Sequence, residues 1–241
     1  MLARRIVDVL MTVLLLLLMS LQITEQEGHE YIGMVMVLVV IIHQYLNRKW
    51  FSTILKGRYG IVRVLSLAVN ISLIVAFTLS AVSGMIIAET FTFLNIESLT
   101  EWARSTHLAS SYWSFVLMGV HAGMHWGMVA GRIKAKWPGV LGVGMSGYGL
   151  YRFIAAKITD YLLLNTQFAF IDYDLPALPV LINNTAMLSF FVLLGYEMSR
   201  IAAGIASKRR ESIMRPVMIL ACACAVSLVL VMWMGMPEEE W

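Results

Sequence analysis

The sequence predicts an all-α, polytopic transmembrane helical bundle of about seven helices. Of its 241 residues, 59% are hydrophobic and only 14% are charged. A soluble domain typically has about 25% charged residues, so this composition excludes an ordinary soluble protein and indicates a chain that lies in a bilayer. A spanning helix takes about 20 apolar residues, which leaves room for six or seven helices and no separate globular domain. Residues 1–241 are therefore expected to form a single transmembrane domain.

Seven apolar stretches predict the membrane spans. In chain order they are Ile6–Ile23, Tyr31–Leu46, Val64–Ala88, Leu108–Ala130, Gly139–Phe153, Val180–Ile201 and Val217–Met236. The second and fourth carry histidines, whereas the third and sixth are plain apolar runs of spanning length.

The first, fifth and seventh stretches need separate justification. Arg4 and Arg5 before the first resemble the start of a signal peptide, but the apolar run is long and no small-x-small cleavage site follows, which favours a retained helix. The fifth is short, rich in glycine and ends against Arg152; if it is interfacial, the bundle has six spans. The seventh holds Cys222 and Cys224, which lie on different helix faces, so no disulfide or metal site is predicted there.

The basic residues predict the orientation of the bundle. They cluster at the N-terminus and after the second, fourth and sixth spans, all on one side if every span crosses the bilayer. By the positive-inside rule this side is cytoplasmic, which puts the N-terminus in the cytoplasm and the C-terminus outside. These residues are Arg4, Arg5, Arg48, Lys49, Lys56, Arg58, Arg63, Arg132, Lys134, Lys136, Lys208, Arg209, Arg210 and Arg215.

Four of the five histidines form two pairs with one spacing. His29 and His43 are 14 residues apart, and so are His107 and His121. A histidine inside a membrane helix is costly and by default marks a function. Fourteen residues make about 3.9 turns, so the members of a pair share a helix face and lie about 21 Å apart along it.

The predicted topology makes the second and fourth spans parallel, because one span lies between them. His29 then faces His107 near the outer surface, and His43 faces His121 near the inner surface. Two stacked pairs of imidazoles are what bis-histidine ligation of two haems requires. The four histidines are therefore predicted as axial iron ligands of two haems b, in a core of about residues 29–130. A lone histidine near a helix end is more often an interfacial hydrogen-bonding residue, so the prediction depends on all four together.

The fifth histidine competes for the inner site. His125 lies 18 residues after His107, five full turns, and so faces the same way as His121. The matched spacing favours His121 as the ligand opposite His43. His125 would then be a hydrogen-bond donor beside the site, a proton carrier, part of a quinone pocket or a packing residue. A bare metal site at His121 and His125 would lack a carboxylate or cysteine nearby.

Haem propionates are anionic and require cations. Arg104, Arg152 and Lys157 are candidates for the outer haem, and Arg48, Lys49 and Arg58 for the inner one. Anchoring at the lipid headgroups explains each of them equally well. The outer segment 157–179 is amphipathic, which is typical of an interfacial stretch or of a docking surface for an outer partner.

Two sequence blocks resemble small prokaryotic flavinylation-associated dihaem b-type membrane cytochromes. The first is HExxG, a histidine 14 residues after the first, and NxxW (His29–Trp50); the second is a histidine, an apolar run and HxGxHW (His107–Trp126). The likeness continues in Tyr148–Phe153 and Phe168–Asp174 and covers roughly His29–Arg200. It implies a haem core, electron passage across the prokaryotic cytoplasmic (inner) membrane, and an extracytoplasmic redox partner such as a flavinylated protein. The electron donor does not follow from it.

The predicted function is electron transfer across the membrane by a dihaem b-type cytochrome, between a quinone or cytoplasmic donor and an extracytoplasmic redox partner. Bis-histidine ligation saturates the iron, which suits electron transfer and disfavours oxygen binding. The chain shows no substrate chemistry of its own, so a subunit of an oxidoreductase complex is expected. One alternative is a cytochrome that anchors a dehydrogenase, hydrogenase or molybdoenzyme; another is a haem-free metal or solute transporter. Membrane lipid surrounds the chain, and no nucleic-acid partner is predicted.

Overall fold

The computed structural model describes residues 2–57, 59–90, 97–130, 137–166 and 168–208. Over these ranges the chain is all-helical without strands, which confirms the predicted all-α class there. The helices are α1 (Leu2–Leu18), α2 (Leu21–Leu46), α3 (Lys49–Thr53), α4 (Ile61–Ile87), α5 (Thr100–Ala130), α6 (Trp137–Ala155), α7 (Ile158–Leu162) and α8 (Ala177–Lys208). The predicted seventh span with its two cysteines lies outside the described residues, as does Arg58.

Among the described residues, three helices are long and apolar enough to cross a membrane: Leu21–Leu46, Ile61–Ile87 and Ala177–Ala206. On α2 the large side chains of Tyr31, Val35, Leu38, Ile42 and Tyr45 are exposed. They recur every three or four residues and therefore form one outward stripe of the helix. A continuous exposed apolar stripe is costly in water and is typical of a surface that faces lipid.

The first two helices run in opposite directions. Asp8 of α1 lies beside His43 of α2, whereas Leu18 lies beside Gly33. We call the two ends of the bundle the His29 end and the His43 end. α1 starts at the His43 end, and α2 returns to it.

The chain reverses at Glu25, whose backbone is not helical (φ 56°, ψ 175°), and the Asp8–His43 and Leu18–Gly33 contacts are centred on this residue. The first span was expected to reach Ile23; α1 itself ends at Leu18, and a short helical piece from Leu21 continues to the break. The amide of Asn184 on α8 donates hydrogen bonds to the carbonyl of Met19 and the hydroxyl of Ser20, each at 2.9 Å. A polar group on α8 thus satisfies the end of α1, and hydropathy along one helix does not reveal such a contact.

Glycines bring α8 against its neighbours. A Cβ on Gly123 of α5 would meet the carbonyl of Val192, and one on Gly195 of α8 would meet the carbonyl of Val120. Gly149 of α6 lies as closely against the carbonyl of Ala186. Only glycine permits backbones to approach this closely, so α5, α6 and α8 form one tightly packed group.

The remaining packing leaves α2 apart from the other histidine-bearing helix. α1 packs along α2, and α4 packs along α5. Within the described ranges, the backbone of α2 does not pack closely along α4 or α5. The histidines of α2 therefore reach the α4–α5 pair across a space that side chains must bridge.

Candidate cofactor site

The structure brings His29 of α2 and His107 of α5 together. Their ring centroids are 6.1 Å apart, and the ring planes cross at 81°. An imidazole nitrogen binds a transition metal at about 2 Å and lies about 1 Å from its ring centroid, so axial imidazoles on one iron have centroids about 6 Å apart. Crossed ring planes fit this arrangement, because each ring can adopt any rotation about the axis through the metal. The two rings thus have the separation of paired axial ligands.

His107 is oriented by α4. Its Nδ1 donates a hydrogen bond to the carbonyl of Ser80 at 2.8 Å. This bond fixes the proton on Nδ1 and leaves the lone pair on Nε2, the usual arrangement of a metal-binding histidine. A Cβ on Gly84 would lie 2.9 Å from Cε1 of His107. Any larger residue at this position would therefore displace the His107 ring. The hydroxyls of Ser80 and Ser111 lie 2.8 Å apart and join α4 to α5 beside the ring.

Glu30 fixes the position of α2 at this end. Its carboxylate accepts hydrogen bonds from the backbone N–H groups of Glu89 (3.1 Å) and Thr90 (3.0 Å). It also accepts from the hydroxyl of Thr90 at 2.5 Å and the amide of Gln26 at 2.7 Å. Glu89 and Thr90 follow directly after α4, so Glu30 ties the helix that carries His29 to the helix that orients His107.

The second cluster lies 14 residues further along both helices, at the His43 end. Nδ1 of His121 donates to Oδ1 of Asn70 on α4 at 2.8 Å. The rings of His121 and His125 have centroids 4.9 Å apart. His43 is close enough to interact electrostatically with both of them. The structure therefore gathers all three histidines at this end, and α2 and α5 run in the same direction.

His43 is oriented by the first helix. Its Nδ1 donates to the carboxylate of Asp8 on α1 at 3.0 Å, and 20% of the His43 side chain is exposed. The amide of Asn47 donates to the carbonyl of His43 at 2.9 Å and lies 3.4 Å from its Nε2. A carboxylate behind Nδ1 makes Nε2 a more basic nitrogen and a better metal ligand.

His121 and His107 share one arrangement that His125 lacks. Each donates from Nδ1 to an acceptor on α4, Asn70 in one case and Ser80 in the other. The two acceptors lie ten residues apart on α4, and both face α5. His125 is exposed and has no such hydrogen bond to the described residues. The repeated orientation favours His121 as the counterpart of His107.

The candidate propionate partners differ in their surroundings. Arg104 and Lys157 are exposed, and Lys157 has a left-handed backbone with φ +49°. Nε of Arg152 is buried and has no hydrogen-bond partner among the described residues. The guanidinium of Arg48 lies 4.5 Å from the ring centroid of Tyr45 on the outward stripe of α2. Of these four side chains, Arg152 is the one whose buried Nε could donate a hydrogen bond to a further group.

Sequence reasoning missed the residues that orient the histidines. Asp8 and Asn70 carried a usable signal, because a polar side chain inside an apolar span is by default a functional candidate. Ser80 acts through its backbone carbonyl, and Gly84 acts by having no side chain. Neither role has a signature in a single sequence.

A bare metal ion has no obvious site in this part of the protein. Across the described ranges, no group of three or more His, Cys, Asp or Glu side chains is arranged to hold one. The facing rings of His29 and His107 bring two imidazoles together, fewer than the three or four protein ligands that a bare zinc ion takes.

Comparison with known proteins does not identify a family for the chain. No family model, curated protein or solved structure matches the chain. The resemblance to dihaem membrane cytochromes stays a prediction, and the geometry of the histidines is what bears on function.

Proposed function

We propose that the chain is a dihaem b-type cytochrome that carries electrons across a membrane. The observation that supports this most is the His29–His107 pair, with centroids 6.1 Å apart on helices whose backbones stay separate. Two facing imidazoles across such a space, with a second cluster 14 residues along both helices, favour two flat cofactors held between α2 and α5.

The donor set fits haem iron. His29 and His107 would hold one haem, and His43 and His121 the other. The two levels lie about 21 Å apart along the helices, most of the roughly 30 Å thickness of a hydrocarbon core. When bound, haem supplies one-electron redox chemistry, which the protein tunes by burial and hydrogen bonding.

The protein's own residues orient the ligands. The acceptors behind Nδ1 are Ser80, Asn70 and Asp8, on α4 and α1. Each holds its imidazole through Nδ1, so that Nε2 is the nitrogen that would bind the iron. At His43 the amide of Asn47 lies 3.4 Å from Nε2 and would have to turn away for the iron to bind. Glu30 and Gly84 set the position of the His29–His107 pair as a whole. Two imidazoles on each iron would leave it no open position, which favours electron transfer over substrate binding.

The charges at the two ends of the bundle support the orientation predicted from the sequence. Most of the described basic residues lie at the His43 end and most of the acidic ones at the His29 end, with Asp8 and Arg104 among the exceptions. We infer a seven-span protein of a prokaryotic inner membrane, with the His43 end in the cytoplasm and a flavinylated redox partner beyond the His29 end. The basic residues are Arg4, Arg5, Arg48, Lys49, Lys56 and Arg63. The acidic residues are Glu25, Glu27, Glu30, Glu89 and Glu101.

Gly84→Ala is expected to lower the haem content from about two to about one per chain. The new Cβ would lie 2.9 Å from Cε1 of His107 and 3.0 Å from its Nδ1, so the ring must leave its place opposite His29. The measurement is a pyridine haemochrome assay on the purified variant, related to protein concentration.

Gly147→Ala on α6 is the matched control, since no atom lies within 4 Å of the Cβ it would add. This variant is expected to keep both haems. Full haem content in Gly84→Ala would contradict the placement of His107 as a ligand.

A further inference from the structure

A cavity of about 490 Å³ opens at the His43 end of the bundle, and none of the histidines lines it. Its wall is formed by α3, the first turns of α4 and the end of α8. Because α4 and α8 are both long and apolar enough to span a membrane, their ends mark the edge of the hydrocarbon. In a bilayer the cavity would therefore lie at the level of the lipid headgroups.

The lining of the cavity combines apolar and polar surface. Trp50 and Tyr59 give it aromatic surface, of the kind enriched where membranes meet water. Ile54 and Leu67 add aliphatic surface, and Ser66 adds a hydroxyl. Sites for small molecules typically have about 300–1,000 Å³ and are mostly apolar with a few polar groups. The size and the lining thus suit an amphipathic molecule.

Arg63 places a positive charge in the wall. Its Cζ lies 4.3 Å from the ring centroid of Tyr59, and its guanidinium donates to the carbonyl of Thr53 at 2.6 Å. A ring and a carbonyl are neutral partners, so these two contacts hold the guanidinium in place without neutralising it. A guanidinium presents its N–H groups in a planar fork that matches the oxygens of a phosphate.

The charge around the cavity favours an anion. Among the described residues that line it there is no Asp or Glu. Asp8 lies at the same end of the bundle, but it is bonded to His43. Basic pockets between spanning helices are typical binding places for anionic lipid headgroups. The chain from the end of α2 to the first turn of α4, residues 47–63, contains no acidic residue and five basic ones: Arg48, Lys49, Lys56, Arg58 and Arg63.

We propose that this cavity binds the headgroup of an anionic glycerophospholipid. The phosphate oxygens would accept hydrogen bonds from Arg63 and Ser66. The first part of the acyl chains would lie against Trp50 and Ile54 and continue into the surrounding bilayer. The bound lipid would join α3, α4 and α8 at this end. The proposal depends on the cavity and its charge, and it is independent of the proposed electron transfer.

The test counts bound lipids by native mass spectrometry on the purified full-length protein, freed of lipid in detergent. The probes are palmitoyl-oleoyl phosphatidylglycerol and the zwitterionic phosphatidylcholine with the same acyl chains. A single phosphatidylglycerol is expected to bind about tenfold more tightly than phosphatidylcholine, because its net charge is complementary to the cavity.

Three variants locate this lipid. Arg63→Gln is expected to lose the tenfold preference, whereas Arg63→Lys keeps the charge and should keep part of it. Ala206→Trp fills the cavity from α8, leaves Arg63 in place and is expected to abolish tight binding. Arg5→Gln is the matched control, because it removes one guanidinium from an exposed position at the same end that does not line the cavity. Size-exclusion profiles and helix content show that each variant is folded.

Equal affinity for the two lipids would overturn the proposal. It would also be overturned if Ala206→Trp or Arg63→Gln binds phosphatidylglycerol as Arg5→Gln does. Inorganic phosphate is the third probe; if it displaces phosphatidylglycerol at equal concentration, the site takes free phosphate and the lipid proposal is wrong. Haem content plays no part in this measurement, so its failure would leave the proposed function untouched.

Discussion

His29→Ala and His107→Ala are each expected to remove one of the two haems, and to remove the same one. The two rings have centroids 6.1 Å apart, so either variant leaves a single imidazole facing an empty position. A haem held by one protein ligand loses about half of its axial bonding and is expected to leave during purification. The haem content should therefore fall from about two to about one per chain in both variants.

Redox titration identifies which haem is lost. Two components are expected in the unmodified protein, and the same component should be missing from both variants. Tyr31→Ala is the control on α2, since Tyr31 lies two residues after His29 and is 51% exposed. It is expected to keep both components. Loss of different components from His29→Ala and His107→Ala would refute the pairing.

His121→Ala is expected to remove the other haem, whereas His125→Ala is expected to keep both. His121 donates to Asn70 from Nδ1, as His107 does to Ser80, and so presents Nε2. His125 lies beside His121, with ring centroids 4.9 Å apart, but lacks such a bond to the described residues. A shift in the midpoint potential of the haem that His43 and His121 would hold is the largest effect expected from His125→Ala.

His43→Ala provides the internal comparison for this pair. It should lose the same redox component as His121→Ala, because both histidines would hold one haem. If His125→Ala loses that component and His121→Ala retains it, the inner ligand is His125, and the repeated Nδ1 orientation has no bearing on ligation.

The helical class and the spacing of the histidines could be predicted from the sequence because both depend on local periodicity. Apolar runs give the approximate positions of the helices, and the helical rise fixes the distance between His29 and His43 along one helix. The end of α1 at Leu18 could not be predicted, since it depends on Asn184 of α8, more than 160 residues away.

The contacts that orient the histidines could not be predicted from the sequence either. Ser80 and Gly84 act on His107 through a carbonyl and through the absence of a side chain, and only the packing of α4 on α5 creates these roles. Glu30 was visible as part of a motif, but its hydrogen bonds to Glu89 and Thr90 require the loop after α4 to return to α2. Such contacts depend on how helices meet, which one sequence does not encode in any local pattern.

The haem content of the unmodified protein tests the central claim most directly. The full-length chain is expressed with ample haem supply, purified in detergent and assayed by pyridine haemochrome against its protein concentration. The proposed pairing of His29 with His107 and of His43 with His121 predicts about two haems b per chain, with the optical spectrum of low-spin, six-coordinate iron. Folded protein that contains no haem under these conditions would contradict the account.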